Sequence, residues 1–325
     1  MKYGIIATWC MSFDGVCYAY NMLKENKLAA DAIISAIEDV ENCEFYKSVG
    51  YGGLPNEEMI VELDAGYMDG TSFDIGMVGA IKNFKNPVKI AKHLSKLKAN
   101  NFLVGSGAEK YATRHNFESK NMLTKRAQIH YYNRLYEMNQ QPNNNELKPY
   151  NGHDTVGMVC IDQNNVISAT STSGLFMKHA GRLGDSPVVG SGFYADSEIG
   201  GCSATGLGED MMKTCVSFQV VELMSLGKTP QEACEIVVEK TITRLKKAGR
   251  DVGDISLIAM DKNGNWGCCT NIDNFSFVVA TDQIKPTIYL AKFDENKKIY
   301  FEKATQEWID DYINTRTKPL EKKYE

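Results

Sequence analysis

A short polar segment divides the sequence into two halves, and each half carries its own mixture of strand and helix patterns. Residues 139–149, NQQPNNNELKP, are rich in Asn and Pro and lack apolar periodicity, which is typical of an exposed linker. On both sides of this segment, apolar runs of strand length alternate with longer amphipathic stretches. Such a mixture predicts an α/β (α+β) fold in which helices cover both faces of paired sheets.

The first half predicts a strand at its start and a hairpin in its middle. The run Lys2–Thr8 is strand-like, and two apolar runs between Met59 and Ala80 are separated by Asp69-Gly70, a hairpin turn signal. Helical spacing of apolar residues is found up to Met22, over Ala29–Val40, after Pro87, after Gly107 and over about 124–138.

The second half begins with a predicted β-hairpin, TVGMVCI and VISATST, joined by a turn at residues 162–165. Residues 209–226 predict one helix, and a second helix begins after the capping residue Thr229, with Pro230 in its first turn, and continues to about Lys247. Three closing strands are predicted at Ile255–Met260, Phe275–Ala280 and Thr287–Ala291.

Composition excludes several classes of protein. The 325 residues carry a net charge of −5, which argues against a nucleic-acid partner, and no apolar run approaches the roughly 20 residues that span a membrane. The nine cysteines are scattered and the five histidines lie far apart, so no metal-ligand spacing is found. Reduced cysteines and the lack of a recognisable signal peptide favour a cytoplasmic protein.

The segment Gly152-His153-Asp154-Thr155 lies where the polar linker meets a buried strand. If the bond between Asp154 and Thr155 is cleaved, Thr155 gains a free α-amine, whose pKa lies near 7.7–8.0. This amine can accept the proton of the threonine hydroxyl, so that one residue serves as both nucleophile and base. The same residues also fit a simple junction between a loop and a strand.

Further polar residues follow in order along the second half. Arg182 has a planar guanidinium suited to a carboxylate, and Asp185 could hold an ammonium group. Together they would bind the two charged ends of an α-amino acid, although they could equally form a structural ion pair. Thr205 and Gly206 precede a predicted helix start, where N–H groups can stabilise developing negative charge.

Taken together, these motifs resemble those of the glycosylasparaginases, which belong to the N-terminal nucleophile hydrolases. The resemblance extends over nearly the whole chain. The motifs that carry it are Thr8-Trp9, SVGYGGLP at Ser48–Pro55, GHDTVG from Gly152, TSTSG from Thr170, GRLGDSP from Gly181 and ATGLGE from Ala204.

The resemblance implies a four-layer αββα sandwich and a precursor that cleaves itself. Cleavage would give an α chain of residues 1–154 and a β chain of residues 155–325, with both halves forming one domain. The implied activity is hydrolysis of a linear amide, the bond between an asparagine side chain and N-acetylglucosamine. No cofactor or metal is implied. The implied assembly is a homodimer of processed heterodimers.

The resemblance also assigns roles in self-cleavage and catalysis. Thr155 would be the nucleophile and, through its new amine, the base. Asp154 would assist self-cleavage, with His153 shaping the scissile loop, and Thr172 would hydrogen-bond and orient Thr155. Thr205 with Gly206 would bind the substrate carbonyl oxygen as an oxyanion hole.

The remaining roles that the resemblance implies concern substrate binding. Arg182 would bind the α-carboxylate of the substrate, and Asp185 its α-ammonium group, together with the Gly208 carbonyl. Trp9 and Ser48 would line the site from the first half of the chain.

Two positions depart from the glycosylasparaginase pattern. Leu207 stands where that family usually has a polar residue, and Glu209 stands where it usually has Asp. The resulting TG-x-GE form also resembles plant-type asparaginases and isoaspartyl peptidases. Two alternatives therefore stay open: an L-asparaginase or β-aspartyl peptidase that uses the same Thr155, and a non-processing relative that binds an amino acid.

Overall fold

The computed structural model describes residues 2–140 and 154–324. Its strands are β1 (Gly4–Thr8), β2 (Leu63–Asp69), β3 (Ile75–Ile81), β4 (Phe102–Val104), β5 (Val156–Ile161), β6 (Val166–Thr172), β7 (Phe193–Asp196), β8 (Gly200–Gly206), β9 (Ile255–Asp261), β10 (Trp266–Thr270), β11 (Phe275–Thr281), β12 (Thr287–Phe293) and β13 (Ile299–Lys303). Its α-helices are α1 (Phe13–Lys24), α2 (Ala29–Asn42), α3 (Pro87–Leu94), α4 (Gly105–Arg114), α5 (Lys125–Asn139), α6 (Gly208–Thr214), α7 (Val216–Ser225), α8 (Pro230–Lys247) and α9 (Gln306–Thr317).

These strands form two sheets. The larger has the order β13-β12-β11-β1-β5-β6-β2-β3-β4, and the smaller has the order β10-β9-β8-β7. Strand β1 lies between β11 and β5 and is antiparallel to both, whereas β3 and β4 pair in parallel. Strands from both sides of residues 141–153 thus alternate within one sheet, with β5 and β6 between β1 and β2.

The hydrophobic core has three layers, which establish the order of helices and sheets. One cluster joins the larger sheet to the helices of the first half, and includes Ile33 and Tyr67. A second lies between the sheets, and includes Phe193 and Phe277. A third joins the smaller sheet to α7 and α8, and includes Val237. The fold is therefore an αββα sandwich, as the sequence predicts.

The middle layer depends on the alternation of side chains along each strand. In β1, Ile5 points into the cluster beneath the helices, while its neighbour Ile6 points into the cluster between the sheets. Both side chains are fully buried, because the larger sheet is covered on its two faces. The strand ends therefore remain as the places where polar side chains can gather.

Most predicted elements are confirmed, but the single helix over 209–226 is wrong. Helix α6 ends at Thr214 and α7 begins at Val216, because Cys215 adopts a left-handed backbone with φ 48°. Helix α8 begins with the predicted cap: the Thr229 hydroxyl accepts from the Glu232 N–H, and the Glu232 side chain accepts in return. Strands β7, β8, β10 and β13 and helix α9 are additions to the predicted elements.

Within residues 2–140 and 154–324, no helix combines the length and apolar character needed to cross a membrane.

Candidate active site

The predicted site residues meet at one end of the two sheets. Thr155 lies directly before β5, Thr172 is the last residue of β6, and Thr205 and Gly206 end β8. Strands β5 and β6 pair so that Val156 is opposite Ser171, which brings the start of one beside the end of the other. A cleft at this edge is lined by Thr155, Thr172, Gly174, Leu175, Arg182, Gly184, Asp185, Ser186, Gly206 and Gly208.

Thr155 is buried and held at all three of its polar atoms. Its N–H donates to the hydroxyl of Thr205 at 3.2 Å, and its side-chain Oγ1 lies 3.1 Å from the hydroxyl of Ser186. Its carbonyl accepts from the hydroxyl of Thr8 at 2.7 Å, and the same hydroxyl accepts from the Gly157 N–H at 2.9 Å. Thr8 therefore fixes the main chain on the strand side of Thr155.

The hydroxyl of Thr205 joins Thr155 to the first half of the chain. Besides the Thr155 N–H, it accepts from the indole N–H of Trp9 at 3.1 Å. Trp9 has φ 64°, an unusual value for a residue other than glycine, and its ring packs edge-on against Phe275 at 4.7 Å. Because two hydrogen bonds occupy the lone pairs of Thr205 Oγ1, its O–H is directed away from Trp9 and from the Thr155 nitrogen.

Thr172 lines the cleft, but its hydroxyl contacts other groups than Thr155. It donates to the Ser48 carbonyl at 3.3 Å and accepts from the Gly174 N–H at 3.0 Å. Ser48 acts through its main chain, since its carbonyl also accepts from the Ser173 N–H at 2.7 Å. The role of Thr172 in orienting Thr155 stays a prediction, and the hydroxyl that contacts Thr155 Oγ1 here is that of Ser186.

The cleft is also lined by Arg182 and Asp185, which we call the charged wall and which includes a buried carboxyl group. Asp185 is 3% exposed, and its Oδ2 has no hydrogen-bond partner among the described residues. Burial raises the pKa of Asp185 to about 7, although the nearby Arg182 charge and the N–H groups of residues 185 and 186 act in the opposite direction. This carboxyl group is therefore poised to gain stability from a cation placed beside it.

Arg182 forms a bidentate ion pair with Glu209 and not with Asp185. Its Nε donates to Glu209 Oε1 at 2.8 Å and its Nη2 to Oε2 at 2.5 Å. The third nitrogen, Nη1, faces the floor of the cleft, 3.1 Å from where a Cβ would stand on Gly184. Arg182 thus presents one edge to Glu209, which is 42% exposed, and another to the cleft.

Two glycines allow the close approach of β8 and α6 to the cleft. Gly206 has φ 138°, and a Cβ on it would lie 2.1 Å from the Asp254 carbonyl. A Cβ on Gly208 would lie 2.7 Å from both the nitrogen and Oδ1 of Asp185. The oxyanion role of Gly206 and the ammonium-binding role of Gly208 stay predictions, and both residues line the cleft.

A second cation lies behind Arg182. Lys178 is buried, with Nζ 3.7 Å from Asp64 Oδ2, and neither atom has a hydrogen-bond partner among the described residues. Burial raises the pKa of Asp64, although the Lys178 charge lowers it. Lys178 Nζ and Arg182 Nη1 both lie beside Gly174, at 3.0 and 3.4 Å from where its Cβ would be. Two positive charges therefore border this side of the cleft.

Asp154 precedes the nucleophile, and its Oδ2 lies 3.8 Å from Nη2 of Arg316 on α9. His153, predicted to shape the scissile loop, lies outside the described residues. The self-cleavage roles of both residues stay predictions.

Thr8 and Ser186 contact Thr155, although the sequence did not predict them as residues of the site. Both stand inside motifs that carry the resemblance, Thr8 next to Trp9 and Ser186 after Asp185. Their contacts with Thr155 join residues 147 and 31 positions apart, so only the fold shows them.

Other parts of the described chain offer weaker candidates for a site. Two clefts lie beside the turn between β5 and β6, lined by Asp162, Asn164 and neighbouring lysines. They are at the end of the hairpin away from Thr155 and from the predicted site residues. Over residues 2–140 and 154–324, no group of three or more His, Cys, Asp or Glu side chains could hold a metal ion.

Comparison with known proteins identifies relatives over most of the chain. The family model described as Asparaginase matches residues 13–289. The chain is 35% identical to an N(4)-(beta-N-acetylglucosaminyl)-L-asparaginase of Elizabethkingia miricola over 278 residues, covering 85% of this chain and 80% of that protein. It is 33% identical to a putative enzyme of the same name from Drosophila sechellia, with 85% and 78% coverage. An isoaspartyl peptidase/L-asparaginase of Rattus norvegicus is 34% identical, with 76% and 72% coverage.

Proposed function

The chain belongs to the asparaginase family, and on that premise we propose that it is a self-processing amidohydrolase acting on the side-chain amide of asparagine linked to N-acetylglucosamine. The observation that carries this proposal is the cleft itself. Its lining includes both Thr155, with its hydroxyl, and the charged residues Arg182 and Asp185. A β-amide of a free α-amino acid has the matching groups: a carbonyl to be attacked, a carboxylate and an ammonium.

Self-cleavage would begin with attack of Thr155 Oγ1 on the carbonyl carbon of Asp154. The C–N bond between the two residues breaks as an ester forms, and the released nitrogen becomes an amine. Water then hydrolyses this ester, which leaves a carboxylate on Asp154 and restores the Thr155 hydroxyl. The contacts that support this step hold the Thr155 side of the bond: the Thr8 hydroxyl donates to the Thr155 carbonyl, and the Thr155 N–H donates to the Thr205 hydroxyl.

Substrate hydrolysis would repeat the same chemistry on an external amide. The Thr155 amine accepts the hydroxyl proton as Oγ1 attacks the side-chain carbonyl carbon of the substrate. Negative charge develops on the carbonyl oxygen, where the Thr205 hydroxyl and the Gly206 N–H would donate to it. The leaving amine takes a proton, and water then hydrolyses the ester to release aspartate.

The charged wall would select a free amino acid over a residue within a peptide. Arg182 Nη1 faces the floor of the cleft and suits an α-carboxylate, while the buried Asp185 Oδ2 suits an α-ammonium. A substrate that lacks the α-ammonium would leave the buried Asp185 carboxylate unpaired, which costs several kcal/mol. A substrate that lacks the α-carboxylate would lose the contact with Arg182 Nη1, while Arg182 keeps its ion pair with Glu209.

A second candidate function is that of an L-asparaginase or isoaspartyl peptidase, which the name of the rat relative and Glu209 favour. These substrates share the free α-amino acid and the β-amide, and they differ only in the group beyond the amide nitrogen. The first candidate is preferred because the relatives from Elizabethkingia and Drosophila carry the glycosylasparaginase name.

Substrate comparison with the processed enzyme tests the assignment. We expect kcat/KM to be highest for N4-(N-acetylglucosaminyl)-asparagine and at least about 10-fold lower for asparagine and for β-aspartyl dipeptides. The matched control is the glycosylated asparagine with an acetylated α-amine, which should react about 100-fold more slowly because Asp185 is left unpaired. A preference for β-aspartyl dipeptides would establish the second candidate, and no hydrolysis of any of these amides would exclude both.

The processed chains are further inferred to pair as a homodimer of heterodimers, on the strength of the family resemblance. Light scattering of the purified protein tests this inference, and we expect a mass of about twice the 36.2 kDa of one chain.

A further inference from the structure

The end of α9 and the segment that follows it contact α5, the last helix before residue 141. Arg126 of α5 donates to the carbonyls of Arg316 and Lys318, at 2.5 and 2.8 Å. Farther along the same helix, Asn133 donates to the carbonyl of Glu321 at 2.9 Å and accepts from the Lys323 N–H at 2.7 Å. We call α9 and residues 318–324 the C-terminal clasp. It lies beyond residue 289, where the match to the family ends.

The clasp also contacts the residue before the nucleophile. The Arg316 guanidinium stacks over the ring of Tyr312 at 3.3 Å, and its Nη2 lies 3.8 Å from Asp154 Oδ2. The two paired side chains are 25% and 13% exposed, so water screens this ion pair less than one on the open surface. Arg316 is held in turn, because its Nη1 donates to the Tyr312 carbonyl at 3.3 Å.

Arg316 lies on a buried and stacked aromatic side chain. Tyr312 is buried beneath Arg316, its ring stacks on Trp308 at 5.4 Å, and its hydroxyl has no hydrogen-bond partner among the described residues. Burial raises the pKa of Tyr312 well above its usual range; the Arg316 charge opposes this rise, and the Asp154 charge adds to it. The Asp154 carboxylate thus lies near an uncharged aromatic surface, where the Arg316 cation compensates its charge.

We propose that the C-terminal clasp fixes Asp154 for self-cleavage, with Arg316 as the positioning residue. This inference rests on the proposed function, since it concerns the bond that Thr155 Oγ1 attacks. The attacked carbonyl carbon and the side chain of Asp154 share one Cα. A fixed carboxylate therefore restricts the rotation of that carbonyl relative to Thr155, whose own carbonyl and nitrogen are held by Thr8 and Thr205.

After cleavage, the clasp would also hold the two chains together. Residues 126, 133 and 154 belong to the first chain, whereas residues 316–323 belong to the second. The clasp thus binds the cut end of the first chain to the body of the second and keeps that end beside the cleft.

The test compares the rate of self-cleavage with the activity of the cleaved enzyme. Arg316→Gln keeps much of the stem that packs on Tyr312 but removes the charge. We expect its conversion from one chain to two fragments to be about 10-fold slower, since misplacement by about 1 Å can cost up to about 100-fold. Arg316→Lys should recover most of the rate. Once cleaved, Arg316→Gln should hydrolyse substrate with kcat/KM within about 2-fold of the unaltered enzyme, because Arg316 is not among the residues that line the cleft.

Arg134→Gln is the matched control, because Arg134 also lies on the α5 side of the clasp but pairs with Glu137 at 3.5 Å. Its cleavage rate should be unchanged. Cleavage of Arg316→Gln at the unaltered rate would overturn the proposal, as would an Arg316→Lys variant no faster than Arg316→Gln. Loss of folding in Arg316→Gln, seen as a lost thermal transition, would also overturn it by assigning Arg316 a purely structural role. An unaltered chain that never cleaves would instead refute the proposed function.

Discussion

The residues around Thr155, which we call the neutral wall, differ from the charged wall of Arg182 and Asp185 in how completely their polar groups are paired. In the neutral wall, hydroxyls and main-chain N–H groups surround Thr155, which forms hydrogen bonds with Thr8, Thr205 and Ser186. In the charged wall the groups are incompletely paired: Asp185 Oδ2 is buried without a hydrogen-bond partner among the described residues, and Arg182 uses two of its three nitrogens on Glu209.

The difference separates positioning from recognition. A satisfied neutral wall can hold reacting atoms in place without cost to folding, which suits the steps that form and break bonds. A buried carboxyl group with a raised pKa destabilises the fold at neutral pH, and this cost is recovered when a cation binds beside it. Changes to the neutral wall should therefore lower kcat, whereas changes to the charged wall should raise KM.

The largest effect is expected at the nucleophile. Thr155→Ala should remain a single chain and lose amide hydrolysis by a factor of about 10⁴ or more, since loss of a nucleophile removes the covalent step. Thr155→Ser keeps a hydroxyl and should still process, but more slowly. Gel electrophoresis and a hydrolysis assay measure both variants, and two fragments from Thr155→Ala would refute the assignment.

Thr205→Val tests whether the neutral wall acts on the transition state. The variant removes the hydroxyl but keeps the shape, so kcat of the processed enzyme should fall about 10²- to 10³-fold, as for other oxyanion donors. KM should stay within about 3-fold of the unaltered enzyme. Thr205→Ser restores the hydroxyl and should recover most of the activity. A rise in KM with kcat unchanged would place Thr205 among the binding residues instead.

Asp185→Asn is the matching change on the charged wall. KM should rise about 100-fold with kcat less affected, because the α-ammonium of the substrate loses its partner. Steady-state kinetics check this split, and a fall in kcat alone would remove the difference between the walls.

At alkaline pH, Asp185→Asn should be more stable than the unaltered chain. The raised pKa means that the folded protein gains stability from the protonated Asp185 at low pH and loses it as the pH rises through about 7. The free energy of unfolding of Asp185→Asn at pH 8 should therefore exceed that of the unaltered chain by about 1–2 kcal/mol. Denaturant titrations should show this difference narrow as the pH falls below 7, and a variant less stable at pH 8 would contradict the account.

The effect of pH on inhibitor binding is expected to be smaller than the effect of Asp185→Asn on KM. As the pH falls from 8 to 6, the inhibition constant of aspartate should rise by up to about 10-fold, because protonation of Asp185 removes the negative charge that binds the ammonium group. Succinate lacks the ammonium and serves as the control, with no such weakening. Equal pH profiles for the two inhibitors would show that Asp185 does not bind the amine.

The smallest effect is expected for Ser186→Ala. Its hydroxyl lies 3.1 Å from Thr155 Oγ1, and a neutral hydrogen bond of this kind contributes about 1 kcal/mol, or about 5-fold in rate. We expect this loss in kcat, measured on the processed enzyme. A loss comparable to that of Thr205→Val would give Ser186 the orienting role predicted for Thr172.

The sequence predicted the layered fold because its long periodic segments are unambiguous. Helix α8 has a full capping box at Thr229, and strand β5, VGMVCI, is a continuous run without a polar side chain. Strand β8 was missed because its residues, GGCSATG, are small and lack the β-branched pattern, although every one is buried. Helix α9 was missed because it buries little more than Tyr312 and is otherwise polar.

The site was predicted as a set of residues but not as a set of contacts. Motif order identified Thr155, Arg182 and Asp185, because each carries chemistry that packing does not require. The partners of these groups are set by the folding of distant strands and loops onto one another. The contact of Arg182 with Glu209 and that of Arg316 with Asp154 join residues 27 and 162 positions apart, and no local pattern encodes them.

The central claim is that Thr155 becomes an amino-terminal residue before the enzyme works. N-terminal sequencing and intact mass of the purified protein, followed over time beside hydrolysis of the glycosylated asparagine, test it most directly. Two fragments of about 17 and 19 kDa should appear by proportion of the 36.2 kDa chain, the larger beginning at Thr155, and activity should rise in step with them. Full activity in a preparation whose Asp154–Thr155 bond is intact would contradict the account.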